Sequence, residues 1–154
     1  MKEWNRTTRE ITLEKINPAI YVAIQQHLDE FKLGPILDDY KICIETVSEK
    51  IKKGLFSGGK KETVVSIDIL TPAWLIDAVM DEKGNVAALS VKRNEMHAED
   101  YTHTPGYNII QDNGVNVTGT FTGRVGMDGN QRISKFIGLG EESAAKYFKT
   151  LLLS

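Results

Sequence analysis

The chain has 154 residues, of which 41% are hydrophobic and 26% are charged, and its formal net charge is -2. This length suits one domain with its own core, and the small negative charge argues against a general nucleic-acid binder. No apolar run approaches the roughly 20 residues that span a bilayer. The N-terminal sequence MKEWNRTTRE is too polar for a secretory signal, so we expect a cytoplasmic protein.

The first ten residues are polar, and we expect them to be irregular. Asn17 and Pro18 then predict the start of a helix, because asparagine caps a helix and proline is tolerated at its first position. Gly34-Pro35 ends the pattern. Residues at spacings of four, four and three place one apolar stripe on this helix, and they are Ile20, Ile24, Leu28 and Phe31.

From residue 40 onward the apolar period changes to two, which indicates β-strands. The segment Arg93–Gly106 is expected to be irregular with at most one helical turn. Asn113-Gly114 predicts a type I′ hairpin turn, and Met127–Asn130 predicts a further turn. The seven predicted strands cover residues 40–45, 65–69, 74–80, 86–92, 107–111, 115–122 and 133–137.

A second helix is predicted at the C-terminus. Glu141 and Glu142 suit its first turn, where the helix dipole favours negative charge. Its apolar face consists of Ala144, Ala145, Phe148, Leu151 and Leu152.

The order of these elements resembles that of bacterial pleckstrin-homology (PH)-like domains. The stretch VSIDILTPAWLI, residues 65–76, resembles two strands of such domains, although Trp74 stands where they usually have arginine. Lys53-Gly54-Leu55 and the closing helix at Glu142–Leu151 add to the resemblance, which covers about residues 38–154. It implies a seven-stranded antiparallel split barrel capped by the C-terminal helix, an α+β fold that is mainly β. We expect residues 1–36 to be an extension with an added helix, and residues 37–154 to form the barrel domain.

The predicted loop between the first two strands carries a glycine-rich motif. Gly54–Lys60 fits the Gly-x-x-x-x-Gly-Lys part of a phosphate-binding loop, but Lys61 stands where a serine or threonine must hold magnesium. A strand follows at Glu62 instead of the helix whose N-terminus would face the phosphate. A nucleotide-hydrolysing loop is therefore not expected.

The same loop has two other interpretations. The resemblance implies that lysines at this position face phosphate groups in those PH domains that bind inositol lipids, which would permit peripheral membrane contact. Alternatively, the lysines are solvated edge residues that deter strand pairing. The candidates for binding an anion or a lipid are Lys50, Lys52, Lys53, Lys60 and Lys61.

Four further residues invite a functional interpretation. His97 and His103 lie among acidic residues, but their spacing suits a polar loop better than a zinc site, so we expect no metal. Trp74 is expected in the core, with an exposed edge for partner docking as the alternative. The single cysteine, Cys43, lies in a strand pattern and is expected to be a small core residue rather than a nucleophile.

The sequence thus favours a non-catalytic PH-like binding or scaffolding module that contacts another protein or a second copy of itself. One alternative is recognition of anionic lipid or phosphate by the lysine loop. The other is a metal-dependent enzyme that uses His97 and His103. We expect no cofactor and no nucleic-acid partner.

Overall fold

Alternating apolar residues form an antiparallel sheet in the part of the chain that the computed structural model describes, which is residues 2–51, 62–124 and 129–154. Within these residues there are eight strands and two α-helices, joined in places by short 3-10 turns. In chain order they are β1 (Trp4–Glu10), α1 (Pro18–Glu30), β2 (Ile42–Lys50), β3 (Thr63–Leu70), β4 (Trp74–Met80), β5 (Val86–Lys92), β6 (Met96–Asp100), β7 (Gly114–Gly123), β8 (Asn130–Gly138) and α2 (Ser143–Leu153).

The strands form a meander in which β5 and β6 follow one another along the same edge of β7. The strand order is β1-β2-β3-β4-β5-β7-β6, with β8 on the other edge of β7, and every described pair is antiparallel. A 3-10 turn at Arg93–Glu95 separates β5 from β6, yet both strands pair with β7. This bend adds to the normal twist of the strands, and the sheet curls into a half-barrel.

Helices cover both faces of the curled sheet, because side chains alternate between the two faces along each strand. The interior face packs against α2, and the outer face of β2, β3, β4 and β5 packs against α1, most closely at β4 and β5. Interior residues include Ile42, Ile44, Leu70, Leu75, Phe121, Ile137, Phe148 and Leu152. Residues between the sheet and α1 include Ile20, Ile24, Leu28, Cys43, Ile67, Ile69 and Ile76.

The start of α1 follows directly from its sequence. Asn17 Oδ1 accepts hydrogen bonds from the amides of Ala19 at 2.9 Å and Ile20 at 3.4 Å, and Pro18 occupies the first helical position. A cap of this kind contributes about 1 kcal/mol. Three residues of the predicted stripe, Ile20, Ile24 and Leu28, are buried, so the helix presents its apolar face to the sheet.

The predicted architecture is confirmed in its main features. The structure is mainly β, with one helix before the main run of strands and one at the C-terminus. The curled half-barrel with a C-terminal helix is compatible with the PH-like plan. No helix among the described residues has the length and apolarity needed to cross a membrane.

Three predictions of local structure are wrong. The first ten residues are not irregular, since Trp4–Glu10 forms β1 and pairs with β2 along its whole length. The segment after residue 93 contains a strand, β6. Residues 107–111 form no strand, because the chain makes a 3-10 turn at Pro105–Asn108 and the Tyr101 hydroxyl donates to the carbonyl of Ile110 at 2.7 Å. The described residues therefore contain eight strands instead of the predicted seven.

Candidate functional site

The lysine-rich loop connects β2 to β3, and its first cation, Lys50, belongs to the described residues. The Lys50 ammonium lies 3.9 Å from Glu62 Oε2 and 5.9 Å from the centre of the Trp4 ring. Glu62 therefore offsets part of the positive charge at this end of the loop. Anion binding by the loop stays a prediction. The other four lysines, Lys52, Lys53, Lys60 and Lys61, lie outside the described residues, and so does the Gly54–Lys60 motif.

The two histidines considered as metal ligands are both exposed. His97 lies in β6 opposite Thr118 of β7, and His103 ends a 3-10 turn at Tyr101–His103. This turn interrupts the alternation that would have placed both side chains on one strand face. In residues 2–51, 62–124 and 129–154, no group of three or more His, Cys, Asp or Glu side chains is placed to hold a metal ion.

Trp74 begins β4 and is half-buried against the outer core. The Lys92 ammonium lies 5.8 Å from the centre of the Trp74 ring, a cation–π arrangement worth about 0.5–1 kcal/mol at an exposed position. The indole thus has neighbours within its own chain. Partner docking at Trp74 stays a prediction.

Cys43 is a free cysteine that is fully buried between the sheet and α1. Burial, followed by the nearby charge of Asp68, raises the pKa of the Cys43 thiol to about 12. A nucleophilic cysteine needs the thiolate form. The structure therefore agrees with the expectation of a small core residue.

An open groove of about 730 Å³ lies between α2, the N-terminal end of β1 and the loop before β7. We call it the α2 groove. Its lining is about half polar and half apolar and carries both signs of charge, and the sequence did not predict it. The charged and amide side chains of the lining are Lys2, Arg6, Gln111, Asp112, Asn113, Glu141, Lys146 and Lys149.

Arg6 fixes one wall of the α2 groove. Its Nε and Nη2 donate to the two carboxylate oxygens of Asp112 at 3.0 and 2.7 Å, and its Nη1 donates to Ser48 Oγ at 2.6 Å. The side chains of Arg6 and Asp112 are 14% and 10% exposed. Two parallel hydrogen bonds of this kind add geometric specificity to the charge attraction. They join β1 to the loop that leads into β7.

Lys149 fixes the opposite wall, which belongs to α2. Its ammonium donates to Asp100 Oδ2 at 3.1 Å and to Asn113 Oδ1 at 2.9 Å, and Asn113 Nδ2 donates to the carbonyl of Gly140 at 2.6 Å. Burial raises the pKa of Asp100, but hydrogen bonds from Thr102 and Lys149 outweigh it and leave that pKa below its ordinary value. The ion pair therefore persists at neutral pH.

Two isoleucines are exposed in the same loop that lines the α2 groove. Ile109 is 77% exposed and Ile110 is 40% exposed. They stand between Tyr107 and Gln111, both of which line the groove. Large apolar side chains that remain in water beside a groove are a common feature of binding surfaces.

A pair of aspartates lies inside the half-barrel. Asp68 of β3 and Asp77 of β4 are directly opposite each other in the strand register, and they are 0% and 2% exposed. Neither carboxylate oxygen of Asp68 accepts a hydrogen bond from a described residue, and neither does Oδ2 of Asp77. Burial, followed by the adjacent Asp77 carboxyl, raises the pKa of Asp68 well above its ordinary value.

One lysine reaches this pair from the edge of the sheet. Lys135 of β8 places its ammonium 3.5 Å from Asp77 Oδ2. Because β8 and β4 are not neighbours in the sheet, the ion pair crosses the interior of the half-barrel. The site thus combines two carboxyl groups with one cation.

A buried histidine lies on the other face of the sheet. His27 Nε2 of α1 and Ser90 Oγ of β5 are 2.8 Å apart, and both side chains are buried. Burial lowers the pKa of His27, against a smaller opposing effect of Glu30. The neutral imidazole therefore serves as a hydrogen-bonded link between α1 and the sheet.

Neither family models, nor curated proteins, nor solved structures match this chain. The interpretation of the α2 groove and of the aspartate pair therefore rests on their geometry and not on a relative.

The aspartate pair is visible in the sequence as two acidic residues within apolar strand patterns. Asp68 lies between two isoleucines in the strand TVVSIDIL, and Asp77 lies at the centre of WLIDAVM. An acid in the middle of a buried strand is rarely placed there without a partner. The groove left no comparable signal, because Arg6 and Asp112 are separated by 106 positions.

Proposed function

We propose that this chain is a non-catalytic binding module, a divergent PH-like domain of the cytoplasm, and that it docks a protein partner in the α2 groove. The half-barrel with its C-terminal helix is compatible with such a domain. The observation that carries the proposal is the combination of a groove framed by ion pairs with exposed isoleucines in a loop that contributes to its lining.

The exposed isoleucines favour a protein partner over a small polar ligand. Burying an isoleucine side chain contributes about 1.5–3 kcal/mol, and Ile109 has most of its surface in water. Protein interfaces combine such apolar anchors with a polar surround. In the α2 groove, the polar surround consists of side chains that already have fixed positions, such as Arg6 and Lys149.

The charges of the groove favour an acidic segment of the partner. Arg6 and Lys149 are paired with Asp112 and Asp100. Lys2, Lys146 and Glu141 also line the groove and make no ion pair with any described residue, so these three side chains leave one net positive charge. Unpaired ammonium groups at the rim of an interface raise the association rate for a partner of opposite charge.

The positions of the acid–base groups support a non-catalytic role. Asp68, Asp77 and His27 have the chemistry of general acids or bases, but each has at most 5% of its surface in contact with solvent. A catalytic group must come within hydrogen-bond distance of its substrate. None of these three side chains lines the α2 groove.

The proposal predicts that single changes on the groove will weaken partner binding. After a partner has been isolated by cross-linking and affinity capture, its affinity for purified variants can be measured by titration calorimetry. Ile109→Ser is expected to weaken binding about 10- to 100-fold, the factor that corresponds to loss of one buried isoleucine. Lys146→Glu is also expected to weaken binding, and this effect should be larger at low salt concentration than at high salt concentration. Val22→Ser, which alters an exposed apolar residue on α1, is the matched control and should bind normally.

Light scattering distinguishes a second copy of the chain from an outside partner. A dimer that dissociates in Ile109→Ser would identify the occupant as a second copy, whereas a monomer at all concentrations would restrict the groove to other proteins. If a captured partner binds wild type, Ile109→Ser and Lys146→Glu equally well, the α2 groove is not the docking surface.

A further inference from the structure

The aspartate pair inside the half-barrel has more carboxyl groups than neighbouring cations. Asp68 and Asp77 occupy opposite positions in the β3–β4 register. Both oxygens of Asp68 lack a hydrogen-bond donor among the described residues. Lys135 supplies one positive charge, 3.5 Å from Asp77 Oδ2. Two ionised carboxylates would leave one negative charge uncompensated, which a buried environment strongly disfavours.

Among the described residues, the other elements around the pair place no further charged side chain beside Asp68. On β2, the hydroxyl of Thr46 is hydrogen-bonded to the hydroxyl of Thr8 at 2.8 Å. On the opposite face of the sheet, Cys43 stays neutral, because burial and Asp68 raise the pKa of its thiol to about 12. The interior residues contributed by β5, β7 and α2 are apolar, and they include Val91, Val117, Phe121, Ala145 and Phe148.

We propose that Asp68 and Asp77 share one proton at neutral pH, and that the half-barrel takes up this proton when it folds. The proton lies in a hydrogen bond between the two carboxyl groups, which satisfies oxygens that otherwise lack a donor. The remaining negative charge is paired with Lys135. Two carboxyl groups with one proton and one ammonium have no net charge, as their burial requires.

The shared proton makes the stability of the half-barrel depend on pH. In the unfolded chain, an aspartate releases its proton near pH 3.9, roughly its ordinary pKa. In the folded chain the pair keeps one proton to a higher pH, so the folded state binds more protons than the unfolded state between these two values. Stability therefore falls as pH rises through this interval, and the unfolding equilibrium constant increases by up to about tenfold per pH unit. Above the pKa of the pair, the dependence levels off.

Asp68→Asn tests this proposal, because asparagine imitates the neutral acid and does not titrate. Urea unfolding across a series of pH values should show that the variant is more stable than wild type at about pH 7.5, and that the gap shrinks toward about pH 4.5. Asp39→Asn changes an exposed carboxyl group and should keep the slope of the wild type.

A direct measurement uses the wild-type protein and so decides the question even if Asp68→Asn does not fold. The carbon-13 shift of the carboxyl groups in the pair should show one protonated group at neutral pH. Lys135→Met should move the titration midpoint of the pair upward, because it removes the cation that favours the ionised form. Either of two results overturns the proposal: a gap between Asp68→Asn and wild type that does not change with pH, or a wild-type spectrum in which both carboxyl groups are ionised at about pH 6.

Discussion

Replacing Arg6 with alanine is expected to lower the free energy of unfolding by about 3–5 kcal/mol, the usual cost of removing one partner of a buried ion pair. Asp112 would keep its charge with only 10% of its side chain exposed, and Ser48 would lose the guanidinium that donates to its hydroxyl. The guanidinium of Arg6 would also be lost from above the Phe136 ring, whose centre lies 5.6 Å from the guanidinium carbon. Urea unfolding measures the loss.

Arg9→Ala is the matched control for this prediction. Arg9 lies on the same strand and pairs with Glu45 at 2.8 Å, but its side chain is 66% exposed. Exposed pairs contribute about 0–1 kcal/mol. Arg6→Lys should lie between the two alanine variants, because it keeps the charge and loses the two parallel hydrogen bonds. Equal small losses in both alanine variants would show that the Arg6–Asp112 pair does not hold the groove together.

Replacing Phe148 with alanine is expected to cost about 3–5 kcal/mol, since it leaves a cavity where a large side chain was fully buried. Phe148 belongs to α2 and packs on the interior core of the half-barrel. Because α2 covers this core, the variant should also bind a hydrophobic dye more strongly. Thermal unfolding and dye fluorescence together measure the effect.

The neighbouring residue provides the control. Tyr147 precedes Phe148 in the same helix but is 55% exposed. Surface substitutions of this kind usually change stability by no more than about 0.5 kcal/mol in either direction. A Phe148→Ala variant that is as stable as Tyr147→Ala would contradict the packing of α2 against the sheet.

The helices and six of the strands could be predicted from apolar spacing alone. Ile20, Ile24 and Leu28 recur at helical spacing, and their burial against the sheet follows from that pattern. The alternation in residues 65–69 likewise predicts β3. These elements each bury a continuous apolar face, so periodicity is sufficient to identify them.

The first strand could not be predicted in this way because its inward side chains are polar. Arg6 and Thr8 of β1 face the interior side of the sheet, where Arg6 meets Asp112 and Thr8 meets Thr46. A strand that contributes to a polar layer has no apolar alternation. Its partners lie far away in the chain, so the sequence around it contains no hint of them.

The predicted hairpin at Asn113-Gly114 shows how tertiary contacts override a turn preference. Asn113 uses its side chain to connect Gly140 with Lys149. Gly114 begins β7, where an added Cβ would overlap the carbonyl oxygen of Ile137 on the neighbouring strand. The glycine is thus required by close strand approach rather than by a tight turn.

The candidate sites were predictable only in part. The acids at positions 68 and 77 are visible in the sequence, but their opposition depends on the β3–β4 register, and the role of Lys135 depends on how the sheet curls. In β3, Asp68 alternates with Ile67 and Ile69 and therefore lies on the opposite face of the strand. The curled sheet turns the face of Asp68 inward, and α1 covers the face of the isoleucines.

The two ends of the curled sheet meet without a strand ladder between them in the described residues. Instead, the amide of Thr8 donates to Glu142 Oε1 at 3.0 Å, and the amide of Gly140 donates to Thr8 Oγ1 at 2.8 Å. Paired strands keep a fixed spacing of about 4.7–4.9 Å, whereas this junction is spaced by the lengths of side chains. The width of the half-barrel can therefore change through substitutions at Thr8 or Glu142 while every strand register stays the same, and an evolving chain could adjust the size of its interior at those two positions.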